Sequence, residues 1–200
     1  MGDLQGWRDE LGVLSVAMAI VAAIIYVSQT LRSEVRPHPL SWLLFGLLCA
    51  TGYWVQRDAG VRQGSWTLLA MTVICFLFVA ASVARGERSF AWQEWAFAIA
   101  GGAVFVMYFF TKEANAAAAL TTIIDVLAFG PTFMRGWFYP QKDSATSFAI
   151  NGAKFVPSLM AMDPISFATS FYPATLIVLN AAVAIMLVAR RRALAAPANG

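Results

Sequence analysis

The sequence predicts an all-α integral membrane protein of seven transmembrane helices, arranged as two three-helix bundles joined by a linker helix. Composition predicts the class: 60% of the 200 residues are hydrophobic and 12% charged. A mean hydropathy of +0.66 is too apolar for a domain whose surface faces water. Segment length predicts the helices, because a bilayer core about 30 Å thick needs roughly 17 to 25 apolar residues per span. A weak internal repeat predicts the pairing of bundles.

Seven apolar runs satisfy the length rule: Leu11 to Thr30, Leu40 to Gln56, Trp66 to Ala84, Ala91 to Thr111, Asn115 to Met134, Ala145 to Met162 and Thr169 to Ala189. The first is expected to be a retained span and not a cleaved signal. Acidic Asp3, Asp9 and Glu10 surround Arg8 where a basic leader would stand, and the run exceeds a usual signal core.

Shifting the sequence by 103 residues aligns Arg32 with Arg135, Pro37 with Pro140, Ser41 with Ser144 and Phe45 with Phe148. Both copies fall in the turn between the first and second helix of a triple. Pro37 and Pro39 end the first helix and delay the next, which Ser41 is placed to cap; Pro140 and Asp143-Ser144 repeat the device. Helix four has no counterpart. The expected organisation is a first bundle at 1–90, a linker helix at 91–113, and a second bundle with a cytoplasmic tail at 114–200. An odd linker restores parallel orientation, so the bundles pair about a pseudo-two-fold axis along the membrane normal, with a cavity between them.

Charge reports topology. The net charge of +3 comes from basic residues in separate loops, not from one patch, which argues against a nucleic-acid partner. Arg32, Arg36, Arg85, Arg88, Arg135, Lys142, Arg190, Arg191 and Arg192 fall on one side of the seven-helix arrangement; Arg8, Arg57, Arg62 and Lys112 fall on the other. The positive-inside rule makes the richer side cytoplasmic, with the N-terminus outside and the C-terminus inside a plasma or inner membrane. Trp7, Trp54, Trp66, Trp92, Trp95, Trp137, Tyr53, Tyr139 and Tyr172 lie near predicted helix ends, and Tyr108 also fits an interfacial belt.

Catalytic and metal chemistry find little support. Cys49 and Cys75 sit within spans as small hydrophobes, and His38, the lone histidine, is a turn residue between two prolines. No cofactor, metal site or enzymatic activity is expected.

Two half-motifs carry a family resemblance. Tyr26-Val27-Ser28-Gln29 is followed by Arg32 and Leu40-Ser41-Trp42; Gly130-Pro131-Thr132 is followed by Arg135 and Asp143-Ser144. In this the chain resembles the PQ-loop and SWEET superfamily, whose copies carry a Pro-Gln pair late in the first helix of each bundle. Here Gln29 keeps the glutamine and Pro131 the proline. The resemblance implies the three-plus-one-plus-three fold and a carrier or receptor role. It also implies substrate contact at Asn180, since sugar carriers of the family use an asparagine in the last helix of a bundle.

Intramembrane polar residues supply the candidate site. Asp125 lies mid-run in helix five and Lys154 mid-run in helix six, with Asn151 on the face of Lys154. An ionisable group at that depth faces a cavity or a partner; an ion pair fastening two helices and a substrate or proton site both fit. Gly130, Pro131, Pro157 and Pro173 are the expected hinges, all in the second bundle. The expected function is alternating-access transport of a small polar metabolite. The alternative is a non-transporting sensor, receptor or assembly partner. Partners would be membrane lipid and the solute; the small residues Gly101-Gly102 and Ala116 to Ala119 allow close helix packing, either within the chain or with a second copy in a homo-dimer.

Overall fold

In the computed structural model of the protein the described residues are 2–32, 39–84 and 92–195, and they are helical throughout apart from short connectors. Arg36, Pro37, His38, Arg85 and Arg88 lie outside the described residues, as do the side chains of Pro131, Arg135 and Lys142. The helices are α1 (Gly2–Leu31), α2 (Pro39–Asp58), α3 (Trp66–Ala84), α4 (Trp92–Thr111), α5 (Ala114–Phe138), α6 (Ala145–Ala153), α7 (Phe155–Met160) and α8 (Phe167–Ala195). Among the described residues, four of these helices, α1, α3, α5 and α8, contain segments long and apolar enough to cross a membrane.

Lipid accounts for the distribution of side chains. Val13, Ile24, Leu77, Ile99, Phe110, Leu127, Val178 and Ile185 are exposed on the outside of the bundle, whereas Ser15, Gln56, Thr67, Asp125 and Lys154 are at most 1% exposed. Apolar side chains outside and polar ones inside is the arrangement a hydrocarbon solvent selects.

Local chemistry sets the helix ends. Proline is favoured in the first turn, where its missing N–H costs nothing, and α2 begins at Pro39. Ser41 is therefore inside the helix and does not cap it, against the expectation from the turn pattern. Ser144 does cap α6, its hydroxyl accepting the Ser147 N–H at 3.2 Å. Gly60, at φ +89°, turns the chain after α2 so that Val61 N–H returns to the Gln56 carbonyl at 2.9 Å. The sixth apolar run is not one helix. A proline removes the bond to the carbonyl four residues earlier and crowds it; Pro157 does this to Ala153, and the run breaks at Lys154 into α6 and α7.

Packing is interleaved. Helix α3 packs against both α1 and α2, and α8 packs against α5, α6 and α7. Helices α1 and α2 also meet through long side chains, Tyr26 lying 4.9 Å from Trp42 between ring centres. Helix α1 lies along α6 and α7, α2 along α5, and α4 against α2 and α5. The central core joins Leu44, Leu48 and Cys49 of α2, Leu68 of α3, Phe155 of α7, and Tyr172 and Leu176 of α8.

Polar contacts gather at the two ends. At one, Arg8 pairs with Asp163, and Asp58 accepts bonds from Lys112 Nζ and Tyr108 Oη, each 2.8 Å. At the other, Arg190 stacks 4.4 Å from the Trp137 ring, while Arg191 donates to the Pro140 carbonyl at 2.9 Å and to the Asp143 carbonyl. Tyr108 is 1% and Tyr172 2% exposed, so neither belongs to an interfacial belt: the first is spent on Asp58, the second on the core. Trp92 and Trp95 are exposed as a belt requires.

Candidate functional site

Helix α5 carries Asp125 into the interior, where the residue is fully buried and neither carboxylate oxygen has a hydrogen-bond partner among the described residues. Its neighbours along the helix explain the placement. Ile123, Val126 and Leu127 face outward, and Thr121, Thr122 and Asp125 form the buried stripe at helical spacing.

Lys154 occupies the break that Pro157 makes. Its own N–H still reaches the Ile150 carbonyl at 3.1 Å, so the backbone is satisfied on one side and free to bend on the other. The ammonium donates to Asn151 Oδ1 at 2.7 Å and to Met71 Sδ on α3 at 2.8 Å, and it lies 5.3 Å from the Phe155 ring. Methionine sulfur is a weak acceptor. Lys154 thus has one strong acceptor, one weak one and a ring face, and Asp125 is not among its partners.

The same interior holds two buried free thiols, Cys49 on α2 and Cys75 on α3. Cys49 Sγ is 3.9 Å from the Tyr172 hydroxyl. Asp125 and Lys154 are both buried and are not bonded to each other. Asn180 is buried as well, but its amide donates to the Leu176 carbonyl of its own helix at 2.8 Å. It abuts α6 at Gly152, where a Cβ would stand 3.1 Å from the Asn180 Cβ.

A small cavity of about 10 Å³ lies between α2, α5 and α8, lined by Thr51, Gln56, Thr121, Thr169, Tyr172 and Pro173 among others. Gln56 and Thr121 are among its lining residues, and Gln56 Oε1 and Thr121 Oγ1 have no hydrogen-bond partner among the described residues. The other end of the Gln56 amide donates to the Thr169 carbonyl at 2.8 Å. Among the described residues no three His, Cys, Asp or Glu side chains converge as a metal ion would need.

The chain matches no family model, no curated protein and no solved structure. Its function has to be read from the site.

The structure brings Asn151 and Lys154 into contact, leaves Asp125 unpaired, and turns Asn180 back on its own helix. Of the hinge candidates, Pro157 breaks a helix, Pro173 lies inside α8, and Gly130 has open space where a Cβ would be. Of the turn residues, Gln29 approaches the Ser147 hydroxyl of α6 at 3.4 Å, and Arg32 closes α1 through its N–H on the Ser28 carbonyl. Gln56, Met71 and Thr121 join the site without having been singled out in the sequence, and Tyr172, read there as an interfacial residue, joins them. The available signal was spacing: Thr121 stands one turn before Asp125, and Gln56 is a polar residue at the end of an apolar run.

Proposed function

We propose that the chain is a seven-span carrier for a small polar metabolite, caught in an occluded state, with Asp125 and Lys154 as the groups that engage solute or proton. The observation that carries this reading is the separation of the two buried charges. A pair that merely fastened helices would be closed, since a buried ion repays its desolvation only through a partner. An ionised Asp125 with neither oxygen bonded calls for a proton, a cation or a ligand donor to arrive.

Support for two bundles, 1–90 and 114–200 about an α4 linker, comes from reciprocal packing. The third helix of each triple lies between the other two, and the cross-contacts match: α1 with α6 and α7, α2 with α5, α2 with α8, α3 with α7. A pseudo-two-fold axis along the membrane normal produces such pairs. The end rich in Arg32, Arg190, Arg191 and Arg192 is then cytoplasmic, and the end carrying Arg8, Arg57, Arg62 and Lys112 is outside. Resemblance to the PQ-loop and SWEET superfamily agrees with this arrangement.

One observation favours the alternative, a non-transporting sensor or assembly partner: the cavity of about 10 Å³ has room for one water, not for a metabolite. A carrier must open at its proline-weakened helices to admit solute.

Thermal unfolding of the purified protein against sugars, amino acids and organic acids separates the two, because a ligand of the folded state raises stability by RT ln(1 + [L]/Kd). A shift that Lys154→Ala abolishes, with uptake into proteoliposomes lost in Asp125→Asn, is the expected result. No shift and no uptake of any solute would give the site to the alternative.

A further inference from the structure

We infer that α7 is a lid: swung about the helix break at Lys154 and released from α1 and the turn Gln63–Ser65, it opens Lys154 to water at the end that carries Arg8. The inference deepens the carrier reading by naming the entrance, and rests on that reading only for what passes through it. Covalent geometry sets the lid's place. Helix α7 is six residues long and runs from the break at Lys154 toward Asp163, which pairs with Arg8 at the end of the molecule. Pro157 has no N–H to give the Ala153 carbonyl, so the ladder is cut where the lid joins α6. At the far end the ladder closes on itself, Ala161 N–H reaching the Pro157 carbonyl at 3.0 Å and Met162 N–H the Leu159 carbonyl at 3.1 Å. A segment of this kind bends at the cut and moves as a unit beyond it.

Three contacts fasten the lid. Arg8 of α1 pairs with Asp163, three residues past the end of α7, and the Asp163 side chain is 61% exposed. Ser158 Oγ donates to the Gly64 carbonyl at 2.8 Å. Met162 seats on Gly64, where a Cβ would collide with the Met162 side chain and stand 2.9 Å from the Ser158 carbonyl. The first contact is a solvent-exposed ion pair, worth little against water; the second is one hydrogen bond whose partners water can serve. Phe155, Ser158, Ala161 and Met162 on the fastened face are at most 2% exposed, while Val156 and Met160 on the opposite face are exposed. Lys154 lies one turn before Ser158 on the fastened face. Its ammonium holds Asn151 of α6, on the fixed side of the break, at 2.7 Å, and touches α3 only through the weak acceptor Met71 Sδ. Lifting α7 from the turn therefore uncovers the ammonium without breaking its strong bond.

The test needs no solute. In a chain carrying Cys49→Ala and Cys75→Ala, Lys154→Cys is the reporter, and the probe is a charged methanethiosulfonate, which reacts from water and does not cross lipid. Sidedness of the vesicles is read from labelling of Asp163→Cys, exposed at the Arg8 end. Asp163→Asn and Ser158→Ala each remove one fastening. Each should raise the labelling rate of the reporter about threefold to fivefold, the share of one such contact in a closed–open equilibrium. Arg8→Gln should match Asp163→Asn, so that one poorly folded variant does not decide the result. Asp58→Asn breaks an ion pair at the same end that does not involve α7, and should leave the rate unchanged. Equal rates in all variants, or an acceleration by Asp58→Asn as large as by the others, would overturn the lid. Either outcome leaves the carrier reading standing, because that is judged by solute uptake into proteoliposomes; a mobile lid in a protein that takes up no solute would keep the lid and end the carrier reading.

Discussion

Gln56 on α2 donates its side-chain amide at 2.8 Å to the Thr169 carbonyl on α8, which is the carbonyl that Pro173, four residues later, leaves without a helical partner. A proline kink inside a membrane is tolerated when a neighbouring side chain takes up the freed group.

Removing that donor should cost what a buried unsatisfied carbonyl costs, so Gln56→Leu is expected to destabilise by about 1–3 kcal/mol. Pro173→Ala restores an N–H to the same carbonyl. The double variant should therefore recover part of the loss, with a coupling of about 1 kcal/mol or more in a double-mutant cycle read by denaturation. Strict additivity would mean that the two residues do not serve one carbonyl.

Lys154 and Asn151 should respond in an order opposite to naive charge counting. Lys154→Met removes the buried charge with its need for partners and is expected to stay within about 1 kcal/mol of wild type. Asn151→Leu leaves the ammonium with only Met71 Sδ and a ring face, and should cost about 2 kcal/mol or more. Thermal midpoints of the two variants side by side decide the order.

Asp125→Asn should not lower the thermal midpoint, because both oxygens of Asp125 are without partners and a neutral isostere is easier to bury. A fall of many degrees would show a bond to the carboxylate that this geometry lacks.

Two glycines should diverge. At Gly152 a Cβ would meet the Asn180 Cβ at 3.1 Å and the Ile177 carbonyl at 3.3 Å, so Gly152→Ala is expected to cost about 1–3 kcal/mol by overpacking. At Gly130 nothing lies within 4 Å, and Gly130→Ala should stabilise α5 by up to about 1 kcal/mol through helix propensity. If Gly130→Ala also slows uptake, the hinge assignment of this residue gains support; unchanged uptake removes it.

The Asp58–Lys112 contact sets a pH dependence. Hydrogen bonds from Lys112 and Tyr108 hold the Asp58 carboxyl below its ordinary value. A depressed folded value means the stabilisation is complete above the unfolded carboxylate range, near about 3.9, and is lost as pH falls through the lower folded value. Both side chains are well exposed, 55% and 41%, so screening limits the pair to about 1 kcal/mol or less. The wild type should exceed Lys112→Met in thermal midpoint at pH 6 and lose that margin toward pH 2.

Where their residues are described the apolar runs fall on helical segments, the sixth as two short helices, because length and hydropathy are properties of the segment itself. What sequence could not supply were relations between segments. Ser41 was read as a cap because serine favours that place, but Pro39 begins the helix two residues earlier. Pro157 was read as a hinge, and its effect on Ala153 follows from proline geometry alone; that the resulting break would seat Lys154 beside Met71 of another helix does not. Asp125 and Lys154 both announced themselves as charges among apolar residues. Whether they paired depended on helix rotation, which no single run encodes. Tyr172 looked interfacial from its place near a helix end, yet Cys49 and the core surround it.

The interleaved order of helices has a consequence for synthesis. In each triple the middle place is taken by the helix translated last, α3 between α1 and α2, α8 between α5 and the broken pair α6–α7. Among the described residues α1, α3, α5 and α8 contain stretches long and apolar enough to cross a membrane, while Gln56, Asn151 and Lys154 ride on α2 and the α6–α7 segment. In chain order each of these polar-bearing segments gains its apolar packing partner within its own triple only with the helix that follows it, α3 for α2 and α8 for α6 and α7.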